Sequence, residues 1–315
     1  MSTTIPPAAP STLDTIGNTP LVQLRRVVVP DCADVFLKLE YYNPTGSYKD
    51  RMALAMIEEA EKRGDLRPGM RVVEYTGGST GSSLAFVCAV KGYPFHVVSS
   101  DAFAREKLDT MRAFGAHLEL VPSENGQITP DLIPRMVERA TELARQDDVY
   151  FTDQFNNQDA LHGYDVLGQE IAQQAPGSVD LFCGAVGTAG MLVGAARGLR
   201  RSSPETRIAA LEPASTPLLT RGETGSHHVE GIGVGFLPPL LGDDDYDEAY
   251  AVEEMEARNL ALRLAREEGV FCGTSSALNV AGALHYAREL GPGHTVVTVA
   301  CDTGLKYLNG DLFKA

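Results

Sequence analysis

Cysteine is scarce and scattered. Five cysteines (Cys32, Cys88, Cys183, Cys272 and Cys301) serve 315 residues, and no two form a CxxC pair. An odd, dispersed set excludes a disulfide framework and a zinc knuckle, and it fits a reducing cytoplasm. Most lie in apolar runs, where cysteine behaves as a small buried hydrophobe. The seven histidines form no HExxH. His227-His228 alone does not make a metal site, so no metal is expected. Basic clusters are also missing. Lys and Arg number 27 against 42 Asp and Glu, a formal charge of −15. Such a surface repels nucleic acid and anionic membrane. No apolar run is long enough to span a bilayer. The opening MSTTIPPAAPST lacks the basic start and apolar core of a secretion signal, so residues 1–11 read as a flexible tail. Internal repeats, low-complexity blocks and long linkers are absent.

What is present is ordinary globular material, 43% apolar and 22% charged. A chain of 315 residues exceeds what one hydrophobic core usually serves, so two domains are expected. Apolar spacing predicts helices over 50–63, 82–91, 105–114, 132–145, 193–199, 253–267 and 278–290. Gly64 and Gly92 stop the first two, and Pro134 falls in a first turn, where it is tolerated. Short apolar runs predict strands over 71–75, 95–99, 117–121, 150–152, 179–183, 208–211 and 295–300. Near-continuously apolar strands separated by helices indicate parallel sheets covered on both faces, an α/β fold. The acidic run 243–247 reads as an exposed loop.

Ligands of such folds bind beyond the carboxyl ends of the strands. Two glycine-rich segments fall there, TGGSTG after Tyr75 and GAVGTAG after Cys183. The second can close backbone N–H groups around an anion at a helix N-terminus, or be a plain turn. The first offers N–H and O–H donors to a carboxylate, while Ser79, Thr80 or Ser82 could equally cap the helix. In NPTGSYKDR, Lys49 sits where a turn becomes a helix, and a helix N-terminus disfavours an ammonium. A lysine there is more easily neutral, as a Schiff-base nucleophile must be, though a surface lysine at a helix start looks the same. In GTSSALNVAGAL, Ser275 or Ser276 would cap a helix or present a hydroxyl to a ligand.

The ordered set resembles a known family. TIGNTPLVQL (15–24), NPTGSYKDR (43–51), EYTGGSTG (74–81), QFNN (154–157), GAVGTAG (184–190), LEP (211–213), GIGVGFLP (231–238), GTSS (273–276) and DTGLKYL (302–308) occur in sequence. Together they resemble the fold-type II pyridoxal 5′-phosphate (PLP) family of O-acetylserine sulfhydrylase (cysteine synthase) and cystathionine β-synthase. The resemblance implies two open, twisted, mostly parallel sheets covered by helices, with the active site between two domains. It places a smaller, mobile domain at 36–150 and a larger cofactor-binding domain at 12–35 with 151–315.

The resemblance also implies roles. Lys49 forms the Schiff base with PLP and moves the α-proton. Thr76, Gly77, Gly78, Ser79 and Thr80 clasp the substrate carboxylate, and Gln154 helps them. Ser79 also contacts the cofactor. Gly187, Thr188, Ala189, Gly190 and Met191 cradle the phosphate. Ser275 faces the pyridine nitrogen, and a neutral hydroxyl there favours β-chemistry over transamination. Gly231 lines the entrance. The implied reaction is β-replacement on an O-activated serine through an α-aminoacrylate, making cysteine or a related β-substituted alanine. The alternatives are β-elimination, of the cysteine desulfhydrase or serine/threonine dehydratase type, and a non-catalytic PLP-binding homologue. A small amino-acid substrate, a small nucleophile, a homodimer and a cytoplasmic location are expected, with no nucleic acid and no membrane.

The family's usual carboxylate loop reads TSGNTG. Here Gly77 replaces its serine and Ser79 its asparagine. Met191 stands where a threonine usually offers a hydroxyl to the phosphate, Ala189 replaces a glycine, and Ala277 replaces the glycine after GTSS. The stretch after Phe155 is shortened and altered. Arg221 could meet an anionic leaving group, or be a solvated surface residue. The departures leave the cofactor lysine intact and open the choice of substrate.

Overall fold

A computed structural model describes residues 8–127, 129 and 131–314. Residues 1–7, most of the expected tail, lie outside them. Ser11 caps a short turn over Thr12–Thr15. In chain order the elements are β1 (Leu21–Gln23), β2 (Asp34–Leu39), α1 (Lys49–Arg63), β3 (Arg71–Tyr75), α2 (Ser79–Lys91), β4 (Phe95–Ser100), α3 (Arg105–Ala113), β5 (His117–Val121), α4 (Leu132–Ala144) and β6 (Val149–Phe151). There follow α5 (Ala160–Gln174), β7 (Leu181–Ala185), α6 (Gly190–Arg200), β8 (Arg207–Pro213), α7 (Leu218–Arg221), β9 (Glu248–Val252), α8 (Glu254–Arg263), α9 (Thr274–Leu290) and β10 (Thr295–Ala300).

The strands form two sheets, ordered β1-β2-β10-β7-β8-β9 and β5-β4-β3-β6. Among the pairings of these described strands, only β1–β2 is antiparallel. This is the expected α/β architecture of two mainly parallel sheets. β4 and β7 are buried along their whole length, as strands covered on both faces must be. The expected boundary at 35/36 falls inside β2, which pairs with β10 from Asp34 to Leu39. One continuous apolar core reaches both sheets. It joins Val72 and Val97 of the smaller sheet to Phe182, Ile208 and Val297 of the larger through α1, α2, α5 and α6.

The sequence pattern misses β1, β2, β9 and, most consequentially, α5. Gly163 and Gly168 lower helix propensity within α5. Packing supplies the compensation. A Cβ on Gly163 would lie 2.3 Å from the Arg51 carbonyl oxygen, and one on Gly168 would lie 2.0 Å from that of Ala195. Gly194 and Gly198 of α6 meet α5 as closely. The glycines therefore let α5 pack backbone to backbone against α1 and α6.

Two helix starts also differ from expectation. α2 begins at Ser79 and α9 at Thr274, with Gly78 and Gly273 as caps and no side-chain cap bond at either. The hydroxyl residues expected to cap lie inside the first turns, where Ser79 bonds Lys306, Thr80 bonds Gln154 and Ser276 bonds the Cys301 N–H. α8 ends at Arg263 and passes into a π turn over Leu264–Glu268. The acidic run 243–247 forms a turn, mostly exposed.

Candidate active site

The glycine-rich turns, the loop after β6 and the segment after β10 all lie at carboxyl ends of strands. Lys49 opens α1 with its side chain inward, only 8% exposed. Its Nζ sits 4.9 Å from the centre of the Tyr48 ring, which packs on Tyr164 with centroids 5.6 Å apart. Tyr164 in turn touches Gly190 and Gly194 of α6. No carboxylate among the described residues is within ion-pair distance of Nζ. Burial pushes the Lys49 ammonium down to about 8, against the opposing influence of Cys301 and Glu74. Burial therefore favours the neutral amine. Cys301 is no rival nucleophile, because burial pushes its thiol up to about 12.

Two residues beyond Lys49, Arg51 anchors the same helix. Its guanidinium bonds Glu40 and Glu170, and Lys38 Nζ bonds Glu170 at 2.7 Å. The four charges sum to zero and each is hydrogen-bonded, the condition for burying them. The network ties β2, α1 and α5 together under the lysine.

The turn after β7 is rigid. Residues 184–190 are all buried. A Cβ on Gly187 would lie 2.3 Å from the Gly231 carbonyl oxygen. Gly233 N donates to the Val186 carbonyl at 2.9 Å. Ala189 adopts φ +66°, a left-handed conformation that aims the following N–H groups into the turn. Thr188 Oγ accepts from Gly190 N at 3.4 Å. Met191 is buried, its tip beside Gly184. Gly231 itself is exposed.

The turn after β3 is built differently. Thr76 Oγ accepts from Gly78 N at 3.1 Å, and Thr80 Oγ donates to Gln154 Oε1 at 2.8 Å. Gln154 is held by its amide, which donates to the Tyr75 carbonyl, and by its backbone N–H, which donates to Glu74. Glu74 also accepts from Tyr75 N and Thr152 Oγ, and burial pushes its carboxyl up to about 8. Gly77, Gly78 and Ser79 are half-buried. Ser79 Oγ accepts from Lys306 Nζ at 3.1 Å. A Cβ on Gly77 would overlap the Phe103 ring, with three ring atoms 2.2–2.3 Å away. The ring stands where a serine side chain would go.

Ser275 is buried at the start of α9, beside the Cys301 thiol. Ser276 Oγ accepts from Cys301 N at 2.8 Å, which locks α9 to the end of β10. Arg221 is exposed at the end of α7.

The family profile described as pyridoxal-phosphate dependent enzyme matches residues 12–302. The chain belongs to this family. It is 40% identical over 300 residues to the cysteine synthase of Staphylococcus aureus, covering 95% of each chain. Among solved structures, cysteine synthase of Entamoeba histolytica superposes with a TM-score of 0.93 at 31% identity, over 100% of this chain and 94% of that one. O-ureido-L-serine synthase superposes with a TM-score of 0.88 at 36% identity, over 98% and 96%.

The protein is thus a PLP-dependent enzyme, and its side chains suit the cofactor. A buried, unpaired lysine with a lowered pKa can attack a carbonyl carbon. A buried turn of glycine and small residues at the N-terminus of α6 can take a phosphate. Sequence reasoning missed Phe103 and Lys306 as neighbours of the turn after β3. DTGLKYL is one of the motifs of the resemblance, but nothing in it signals that its lysine reaches Ser79, 227 positions earlier.

Proposed function

We propose that the protein catalyses β-replacement on an O-activated serine such as O-acetylserine, making cysteine or a related β-substituted alanine. The observation that carries this reading is Lys49, buried, unpaired and tuned to about 8 at the carboxyl edge of the sheets. PLP, when bound, supplies a sink for the electron pair left when the substrate loses its α-proton. Lys49 would hold the cofactor and would serve as the base that takes the proton from the substrate Cα and returns it. Backbone N–H groups of residues 187–191 hold the phosphate, with no hydroxyl from position 191. The Ser275 hydroxyl faces the ring nitrogen. Thr76 to Thr80 grip the substrate carboxylate, with Gln154 orienting Thr80. Gly231 and its neighbours line the entrance, between a smaller unit at 36–150 and a larger one at 12–35 with 151–315.

Phe103 supports a second reading for the nucleophile. An apolar ring fills the place of the usual serine at 77, and one structural neighbour is named O-ureido-L-serine synthase. A nucleophile other than sulfide fits this altered wall. No helix among the described residues is long and apolar enough to cross a membrane. A homodimer in the cytoplasm completes the proposal.

Two measurements test it. Lys49→Ala should lose the visible cofactor absorbance after desalting. Retention of an unchanged band would remove the assigned lysine. O-acetylserine, O-phosphoserine, cysteine, serine and threonine should then be offered with and without sulfide or other nucleophiles. Replacement gives a new β-substituted alanine only with the nucleophile. Equal pyruvate release in its presence and absence would establish elimination instead.

A further inference from the structure

A serine hydroxyl carries one proton and two lone pairs, so it can donate or accept. The asparagine usual at position 79 has an amide that donates to ligand oxygens. Serine by itself does not guarantee that polarity. Lys306 does. Its Nζ lies 3.1 Å from Ser79 Oγ, and an ammonium has donors only. Ser79 Oγ must therefore accept from Lys306. Among the described residues, nothing takes the Ser79 proton in return.

Lys306 is held in place for this contact. It sits on the turn Gly304–Tyr307 after β10, which the Thr303 side chain caps. Tyr307 Oη donates to Asp302 at 2.7 Å, fixing the same segment. Burial lowers the Lys306 pKa, and Asp302 and Asp50 oppose that shift while Lys107 adds to it. Lys306 also lines a cavity of about 250 Å³ with Thr45, Ser82, Lys107 and Thr303.

We propose that Lys306 is a positioning residue that occupies one Ser79 lone pair and leaves the hydroxyl proton to be donated toward an acidic ligand oxygen. That oxygen belongs to the substrate carboxylate or to the cofactor 3′-position. The inference rests on the PLP-enzyme reading of the site and explains how serine serves where asparagine is usual. Lys306 acts through Ser79 and need not touch the reacting atoms.

The test is a double-mutant cycle of Lys306→Met and Ser79→Ala, with Lys306→Arg as the conservative variant. PLP affinity is measured on apoprotein by fluorescence. Holoenzyme is titrated with L-alanine and L-alaninol, which carry no β-leaving group, and the cofactor absorbance is followed. Thermal midpoints report folding. Lys306→Met should weaken one ligand roughly tenfold, the loss of one hydrogen bond strengthened by charge. Ser79→Ala should do the same, and the double variant should lose no more than the larger single effect. Lys306→Arg should stay within about twofold of wild type, since its guanidinium also only donates. A loss for L-alanine but not L-alaninol assigns the carboxylate; a loss for PLP assigns the 3′-oxygen. Unchanged affinities at an unchanged midpoint, or additive losses in the cycle, overturn the proposal. Should Lys306→Met fail to fold, Lys306→Gln carries the same comparison. Protein that binds PLP yet ignores these substitutions overturns this inference alone, whereas protein that takes up no PLP overturns the function itself.

Discussion

The two glycine-rich turns begin alike and end as opposites. Each leaves the carboxyl end of a buried parallel strand and opens a helix. Around the turn after β7 the decisive neighbour is backbone. The Gly231 carbonyl crowds Gly187, and α6 lies against α5 with glycine at the contacts. Around the turn after β3 the neighbours are side chains (Phe103, Gln154, Lys306), and Gly78 has nothing within 4 Å of its Cβ position. Backbone contacts cannot yield without moving whole elements, whereas side chains can change rotamer. The first turn suits a constant group such as a phosphate. The second can be retuned for different substrates by single replacements, and its departures from the family pattern lie among such side chains.

The largest effect should come from the charged network beneath Lys49, which also holds α5. Glu170→Gln leaves Arg51 and Lys38 short of a buried counter-charge, which costs about 3–5 kcal/mol in urea unfolding. Its acid dependence is also defined. Burial alone would raise the Glu170 carboxyl, but Arg51, Lys38 and the Asn18 N–H hold it down to about 2. A depressed carboxylate stabilises the fold above its ordinary value of 4.5 and loses that contribution as pH falls toward 2. The variant should flatten the stability profile across that window. A wild-type acid limb in Glu170→Gln would show that the network does not support α5.

Gly187→Ala comes next. The added methyl meets a backbone oxygen, so PLP affinity should fall about a hundredfold, near the upper end of overpacking costs. A loss under tenfold would erase the distinction between the two turns. Smaller still is Gly77→Ala, whose methyl meets only the Phe103 ring. Substrate KM should rise a few-fold with kcat nearly kept, and adding Phe103→Leu should restore most of it. Failure of the second change to rescue the first would place the obstruction elsewhere. Gly78→Ala, with open space around it, should leave the thermal midpoint within the shift of about 0.5 kcal/mol that marks an unremarkable substitution.

Much of this was legible in advance. The strands over 71–75 and 295–300 announced themselves by apolar runs between turn residues, and Lys49 by its ordered companions. α5 was not legible. Its glycines read as weak helix, and only their fit against Arg51 and Ala195 explains them. Ser79 and Ser275 fit a capping pattern locally, and only the family resemblance turns them toward a ligand. Their partners, Lys306 and Cys301, are distant in sequence and carry no periodic signal.

By itself the sequence determined the α/β class, the family and the cofactor, and it singled out Lys49. Apolar periodicity and short motifs are local and survive without coordinates. Only the tertiary structure decided which turn is rigid, why glycine stands at 77 and which side chain meets the Ser79 hydroxyl. Those properties depend on contacts between residues far apart in the chain, at distances where a few tenths of an ångström separate a fit from a clash.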